Sequence, residues 1–244
     1  MLERVLRLLE GRDAKCIICG KRCAGMQICY DGVGVCTKCY NTLISKRAGD
    51  YYDTNGRVRR LFAPFEYDGD LRRAVLALKF DDATAYAKPL AKLVFDALPP
   101  YYMYDYDMLV PVPLHPNRRR ERGYNQTELL ADELSGLLGV PVVDDVLFRI
   151  RDTEHQMRLS RMMRENNVRG AFLTHEQSVR GKRILLVDDI YTAGATIGAC
   201  SAELLGKGAA EVSAIVVCEN FKYINMTADR PRIPTVKEYP DNSS

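Results

Sequence analysis

No stretch of this 244-residue chain comes near the ~18 uninterrupted apolar residues that a membrane-spanning helix requires. The start, MLERVLRLLEGRD, lacks the unbroken apolar core of a secretory leader, because acids and bases interrupt its leucines. There is no internal repeat. These absences point to a cytoplasmic globular protein without membrane insertion, and a composition of 47% hydrophobic and 27% charged residues agrees. The first residues read as a short amphipathic helix, with Leu2, Val5, Leu6 and Leu9 on one face. The length allows one full α/β domain plus a small accessory module.

What the chain does have is unevenly spread. Residues 1–62 hold twelve Lys/Arg against six Asp/Glu, a net +6, while the remainder holds 23 against 26. A polyanion would therefore meet the front first. Six of the eight cysteines also lie there, between residues 16 and 39. Cys200 and Cys218 stand alone in apolar surroundings and read as small core residues.

The front cysteines run CIICGKRCAGMQICYDGVGVCTKC, which is CxxC, sixteen residues, CxxC. Each CxxC hairpin brings two thiolates to one ion, and two of them complete a tetrahedral shell. Cys16, Cys19, Cys36 and Cys39 are thus expected to hold a structural Zn²⁺, with no open position for catalysis. Cys23 and Cys29 are either spare thiols or ligands in another register. Lys15, Lys21, Arg22, Lys38, Lys46, Arg47, Arg57, Arg59 and Arg60 surround this ribbon, interleaved with Tyr30, Tyr40, Tyr51 and Tyr52. Such a surface suits single-stranded DNA, the tyrosines stacking on bases. Equally, it is a solvated basic face whose tyrosines pack a tiny core.

Beyond residue 60, strand and helix patterns alternate. LFAPFEY (61–67) reads as a strand, LRRAVLALKF as a helix with Leu71, Val75 and Leu78 on one face, and 84–98 as a second helix. DMLVPVPLHP (107–116) is a strand entering a proline-rich turn, and Asn125 with Glu128 opens a helix as a capping box. VPVVDDVLFRI (140–150), a short segment near Phe172, RILLVDD and EVSAIVVCE read as further strands, with a helix over roughly 196–207. The expected fold is α/β, a mostly parallel sheet flanked by helices. The organisation expected is a basic ribbon with its leading helix over 1–60, the main domain over 61–222, and a disordered tail over 223–244, which has little to bury.

In RILLVDDIYTAGATIGACSAELL (183–205), four apolar residues run into two adjacent acids. In open parallel sheets the carboxyl ends of the strands form the binding crevice. Asp188 and Asp189 sit there, followed by Thr192, Ala193, Gly194, Ala195 and Thr196, small residues at a helix start. Such a loop offers backbone N–H groups and hydroxyls to a phosphate, and two carboxylates upstream suit the hydroxyls of an attached ribose. A capping role for Asp189 alone leaves Asp188 unexplained.

ILLVDDIYTAGAT (184–196) resembles the phosphoribosyl-pyrophosphate signature of type I phosphoribosyltransferases. More narrowly, YDGDLRRAVLALKF, LVPVPLHPNRRRERGYNQTELLADEL and LFRIRDTEHQMRLSRMMRENNVRGAF, in this order, resemble the ComF family, which also carries a front ribbon with paired CxxC knuckles. The resemblance implies a type I phosphoribosyltransferase fold and a role in DNA uptake during natural transformation, together with other DNA-uptake proteins. It implies that Asp188 and Asp189 are the catalytic pair on the ribose hydroxyls, that Thr192 through Thr196 hold the 5′-phosphate, and that Val112-Pro113-Leu114 form the pyrophosphate turn. Arg151 to Asn167 would be the segment that closes over the site. Many members have Thr-Thr-Gly where this chain has Thr192-Ala193-Gly194, which implies weaker phosphate binding.

Such an enzyme positions the sugar, neutralises the departing pyrophosphate with Mg²⁺ and arginine, and excludes water. Arg118, Arg119, Arg120 and Arg122 are the nearest cations, one or two of them functional, with Arg118 the first candidate. His115, beside two prolines, reads as structural; His155 and Gln156 are candidates for acceptor contact. Three function classes remain open: a phosphoribosyltransferase of unknown acceptor, a non-catalytic sensor of phosphoribosyl pyrophosphate or a nucleotide, and a DNA-handling adaptor with a vestigial sugar site.

Overall fold

The front of the chain folds around its cysteines. In the computed structural model, which describes residues 14–23, 25–47, 50–51, 58–99, 106–152, 168–192 and 194–220, strands Lys15–Cys16 (β1), Met26–Tyr30 (β2) and Val33–Cys36 (β3) form a sheet in the order β1-β3-β2, followed by helix Thr37–Ser45 (α1). The β2–β3 hairpin turns through Asp31 and Gly32, with φ of 47° and 84°. Two positive φ values in succession are what an Asp-Gly turn supplies.

The body continues with strands Asp50–Tyr51 (β4), Leu61–Phe62 (β5) and Phe65–Glu66 (β6). Helix Gly69–Phe80 (α2), a 3₁₀ turn Thr84–Tyr86 and helix Ala87–Ala97 (α3) come next. Then follow strand Met108–Pro111 (β7), helices Pro116–Arg122 (α4) and Gln126–Leu138 (α5), and strands Leu147–Arg149 (β8) and Phe172–Thr174 (β9). Helix Glu176–Val179 (α6), strand Arg183–Tyr191 (β10), helix Ala195–Gly206 (α7) and strand Glu211–Glu219 (β11) complete the described chain. The main sheet has the order β4-β5-β11-β10-β7, with β6 also pairing β11; every pair is parallel except β4 with β5.

The fold is α/β, as expected, and local chemistry accounts for its details. The Asp68 carboxylate accepts from the Gly69 N–H at 2.7 Å and starts α2, which buries Leu71, Ala74, Val75 and Leu78. Asn125 caps α5 through the Thr127 N–H at 3.2 Å, and Gly139, left-handed at φ 69°, ends it. Glu128 takes part, but it accepts from the Asn125 side-chain amide at 3.3 Å. Two expected strands are shorter than their patterns. Residues 61–67 split into β5 and β6 at Ala63-Pro64, because Pro64 has no N–H for the ladder. Of 140–150 only Leu147–Arg149 is a strand, and it pairs antiparallel with β9, off the main sheet. The leading amphipathic helix, Ala193, residues 153–167 and the tail fall outside the described residues.

Alternation along β10 divides the core between the two faces of the sheet. Leu185 and Val187 pack with α2, α3 and α5; Ile184 and Leu186 pack with α7, β8 and β9. The first core also contains Cys16, Ile17, Ile18, Ile28, Val35 and Cys36, so the ribbon and the body share one hydrophobic interior. Polar contacts reinforce the seam. The Tyr40 hydroxyl donates to Asp96 Oδ2 at 3.2 Å, and the Lys88 ammonium lies 4.6 Å from the centroid of the Tyr30 ring.

A shared interior makes separate melting of ribbon and body unfavourable. The expected outcome is one cooperative thermal transition, coincident by calorimetry and by thiol reactivity of the front cysteines. Two resolved transitions, the ribbon first, would show that the seam carries little energy.

Candidate active site and metal centre

In the ribbon, Cys16 and Cys36 are buried while Cys19 and Cys39 are half-buried. Their four Sγ atoms lie within 4.8 Å of one another, the four thiols expected from the spacing. This donor set fits one metal ion in all-thiolate coordination. Burial raises the Cys16 thiol. Cys23 is half-buried and raised, by burial first and then by the charge of Cys36, so it borders the cluster without being one of the four. Cys29 is exposed.

Around the cluster Lys15, Lys21, Arg22, Lys38, Lys46 and Arg47 are exposed. Arg59 pairs with Glu211. Tyr30 and Tyr40 are committed to the seam, which gives packing rather than open stacking for these two. Arg57, Tyr52 and the side chain of Tyr51 are outside the described residues.

The second cluster lies at the carboxyl end of the main sheet. Parallel pairing to β7 and β11 carries β10 through Tyr191, so Asp188 and Asp189 stand where the crevice is expected. Gly194, with φ 76°, ends the connecting turn and opens α7, and Gly198 N–H closes on Gly194 C=O at 2.8 Å. The N–H groups of the first turn of α7 therefore point back toward the end of β10. A Cβ on Gly194 would lie 2.9 Å from Tyr191 Cζ, which leaves glycine as the residue that fits. Thr192, Ala195 and Thr196 are half-buried around this turn.

The two acids differ in surroundings, because consecutive strand residues face opposite sides. Asp189 follows Leu185 and Val187 toward α2 and α5 and is 3% exposed. Its Oδ2 meets Lys79 Nζ at 2.8 Å and accepts from Gln126 Nε2 at 2.9 Å, while its Oδ1 accepts from Lys79 at 3.1 Å. Burial opposes the Lys79 charge, but the Asp189 carboxylate and its hydrogen bond outweigh it and hold the ammonium pKa above its ordinary value. Asp188 follows Ile184 and Leu186 toward α7 and β8, and its Oδ1 accepts from the Asp189 N–H at 2.8 Å. Burial, and then the neighbouring Asp189 charge, push Asp188 up to about 7, against the opposing pull of Lys79 and Arg149.

The turn after β7 completes the site. Val112 is buried, and its carbonyl accepts from Asn125 Nδ2 at 3.2 Å and Thr127 Oγ1 at 2.7 Å. Pro113 and Leu114 are half-buried beside it. His115 caps α4 through its Nδ1 and the Asn117 N–H at 3.3 Å, a structural role. Of the four arginines, Arg118 bonds Asp152 Oδ1 through Nε at 3.2 Å; Arg119 pairs with Glu128, and Arg120 leans on Asn117. Arg122 bonds Gln126, which itself bonds Asp189, and stacks 5.1 Å from the Phe80 ring. His155 and Gln156 fall outside the described residues.

Three residues here lie inside the segments that carry the family resemblance, yet no local pattern marks them as part of the site. Lys79 and Arg149 are lone cations in apolar runs, LALKF and VLFRI, and Gln126 is the first residue of α5. Burial lowers Arg149, and the like charge of Arg118 adds to it. That isolation within apolar runs was the available signal.

Comparison with known proteins follows the same lines. The phosphoribosyl transferase domain family matches residues 126–232. The DNA utilization protein YhgH of Salmonella typhi is 33% identical over 171 residues, covering 66% of this chain and 72% of that protein. Competence protein ComFC of Bacillus subtilis is 28% identical over 205 residues, covering 83% of this chain and 76% of that one. Competence protein F of Haemophilus influenzae is 31% identical over 140 residues, covering 55% and 61%.

A raised carboxyl binds its proton more tightly in the folded chain than in the unfolded one. The stability it contributes is present in acid and is lost as pH rises through about 7. Asp188→Asn should therefore melt roughly 2–8 °C above the wild type at pH 8, with the difference vanishing below about pH 4. A variant that melts lower than the wild type at pH 8 would mean that the carboxylate holds the fold together.

Proposed function

This chain belongs to the ComF/YhgH family of phosphoribosyltransferase-domain proteins, and from that premise we infer that its carboxyl-edge cleft binds 5-phosphoribosyl pyrophosphate with Mg²⁺ and that its ribbon binds single-stranded DNA. The observation that carries the first half is the acid pair at the end of a central parallel strand, placed directly before a glycine turn and the N-terminus of α7. In this reading Asp188 and Asp189 serve the ribose, and Thr192, Ala193, Gly194, Ala195 and Thr196 receive the 5′-phosphate. Val112-Pro113-Leu114 and Arg118 flank the pyrophosphate. Residues 1–60 act as a zinc ribbon, 61–222 as the phosphoribosyltransferase domain, and 223–244 as a tail.

The chemistry follows from the placement. An acceptor nucleophile forms a bond to the anomeric carbon as the bond to pyrophosphate breaks, and positive charge develops on the ring. Bound Mg²⁺ supplies charge neutralisation to the leaving group. Asp188 and Asp189 fix the sugar and place negative charge beneath the developing cation, while Arg118 and Arg149 favour the departing anion. The α7 N-terminus anchors the 5′-phosphate and so holds the ring still. A phosphoribosyltransferase acting in DNA uptake is the leading reading. The alternatives are a sensor that binds phosphoribosyl pyrophosphate or a nucleotide without turnover, and a DNA-handling adaptor with a vestigial sugar site.

The deciding experiment is calorimetry of Mg²⁺–phosphoribosyl pyrophosphate with purified full-length protein, followed by an acceptor screen for pyrophosphate release. Asp188→Asn plus Asp189→Asn should abolish binding, since each lost carboxylate–hydroxyl hydrogen bond costs about 1.5–3 kcal/mol. Unchanged affinity in that variant would place the ligand elsewhere; binding without release would select the sensor.

For the ribbon, affinity for single-stranded DNA should fall steeply as salt rises, and Lys21→Glu with Lys38→Glu should flatten that dependence. Stripping the zinc should abolish DNA binding along with ribbon structure. A metal-free protein that binds DNA as tightly would move the contact surface off the ribbon.

A further inference from the structure

Of the phenylalanine and tyrosine rings among the described residues, two are exposed, Phe80 at 63% and Phe148 at 38%. Phe148 stands edge-on to His175, with 5.7 Å between centroids. Phe80 is the last residue of α2 and lies off the face that buries Leu71, Ala74, Val75 and Leu78. A lone exposed apolar residue is ordinary, and the setting of this one is what sets it apart. Lys79, the residue before it, reaches Asp189 Oδ2 at 2.8 Å, so α2 ends at the rim of the carboxyl-edge cleft. The Tyr124 hydroxyl donates to the Leu78 carbonyl at 2.6 Å and pins that last turn.

The ring also has a backing. The Arg122 guanidinium lies 5.1 Å from its centroid and is held in turn by the Gln126 side chain, whose amide donates to Asp189 at 2.9 Å. A fixed guanidinium on one face steadies the ring and leaves the exposed face to a second planar group.

The position is continuous with the ribbon. The 3₁₀ turn Thr84–Tyr86, which follows α2, packs against α2 on one side and against β3 on the other. Across the ring, α4 carries the exposed Arg119 and Arg120, the latter leaning on the neutral Asn117 amide. A strand that crosses the ribbon meets charge there, but Tyr30 and Tyr40 are spent in the seam. Phe80 supplies a ring face that those two do not. Asp81 and Asp82, exposed just after it, disfavour a phosphate at this point, so the ring suits a base rather than the backbone.

We propose that Phe80, backed by Arg122, is a stacking shelf at the rim of the cleft that takes one unstacked base of single-stranded DNA. This deepens the single-stranded-DNA reading and rests on it, adding a base contact beyond the charges of the ribbon. Because the shelf offers a π-face and touches no phosphate, its loss has its own signature. Phe80→Ala and Phe80→Leu should each weaken binding of an oligothymidylate by roughly five- to a hundredfold. The slope of affinity against salt should stay as in the wild type, since no phosphate contact is lost. Phe80→Tyr keeps the ring and should bind as the wild type does. On an abasic strand of equal length all four proteins should bind alike.

The test is fluorescence anisotropy of a labelled oligothymidylate and a labelled abasic strand across a salt series. It uses full-length wild type and the three variants, each checked for an unchanged melting temperature. Loss in the Ala and Leu variants, rescue in the Tyr variant and no difference on the abasic strand are the expected result. Full affinity in Phe80→Ala, beside salt-sensitive binding by the wild type, overturns the shelf and leaves the ribbon reading standing. A loss of equal size on the abasic strand would show that the ring shapes the protein without meeting a base, and overturns the shelf too. So does weaker binding of free thymidine with the oligothymidylate unaffected, which makes this a small-molecule site. A wild type that binds neither strand overturns both readings.

Discussion

The parallel pairing of β10 with β7 on one side and β11 on the other is the constraint on which the site depends. It fixes a buried strand whose register runs without a break from Arg183 to Asp188, and so brings two acids to the sheet's carboxyl end. The same pairing sets Pro111 opposite Val187, so the turn after β7 starts beside the two acids. The N-terminus of α7 follows because Gly194 reverses the chain within three residues of Tyr191. Adjacent acids on a regular strand must then face opposite sides, and each inherits the electrostatics of its own core. Asp189 gains a cation from α2; Asp188 is left with burial and a like-charged neighbour, offset in part by Lys79 and Arg149.

The ribbon is attached by an interior rather than by a linker. Ile17, Ile18, Ile28 and Val35 extend the core that α3 lines, and Tyr30 and Tyr40 add a cation contact and a hydrogen bond across the seam. The cost of this arrangement falls on the aromatic surface, since tyrosines used in the seam are not available to bases. The lysines and arginines of the ribbon remain outside, so the proposed contact with single-stranded DNA would rest on charge more than on stacking.

Features carried by short-range patterns were legible in the sequence. The CxxC pairs predicted the four clustered thiols, the alternation of strand and helix patterns predicted a parallel α/β sheet, and the VDD-to-Thr196 stretch predicted a strand, a turn and a helix in that order. What escaped reading depends on distant partners. Lys79 and Asp189 are 110 positions apart, and nothing local in LALKF marks its lysine as the counter-charge of an acid. The stretch 140–150 divides between two partners, Pro141 to Val143 bridging Leu109 of β7 and Leu147–Arg149 pairing with β9, and an apolar run does not name its neighbour. The division of 61–67 at Pro64 is a local matter, legible in the missing N–H of that one residue.

The strand order also bears on how the chain is made. β11, the last strand described, lies between β5 and β10, in the middle of the sheet rather than at its edge. During synthesis β5 and β10 emerge first, and nothing joins them in one sheet until residues 211–219 leave the ribosome. A nascent chain stopped anywhere before that point has two open sheet edges and an unfilled apolar interior, which is the state that chaperones bind and that aggregates. Closure therefore comes as a late, non-local step, slow for a chain of this size. The ribbon, whose strands are neighbours in sequence, can close on a metal ion while the sheet is still waiting for its centre.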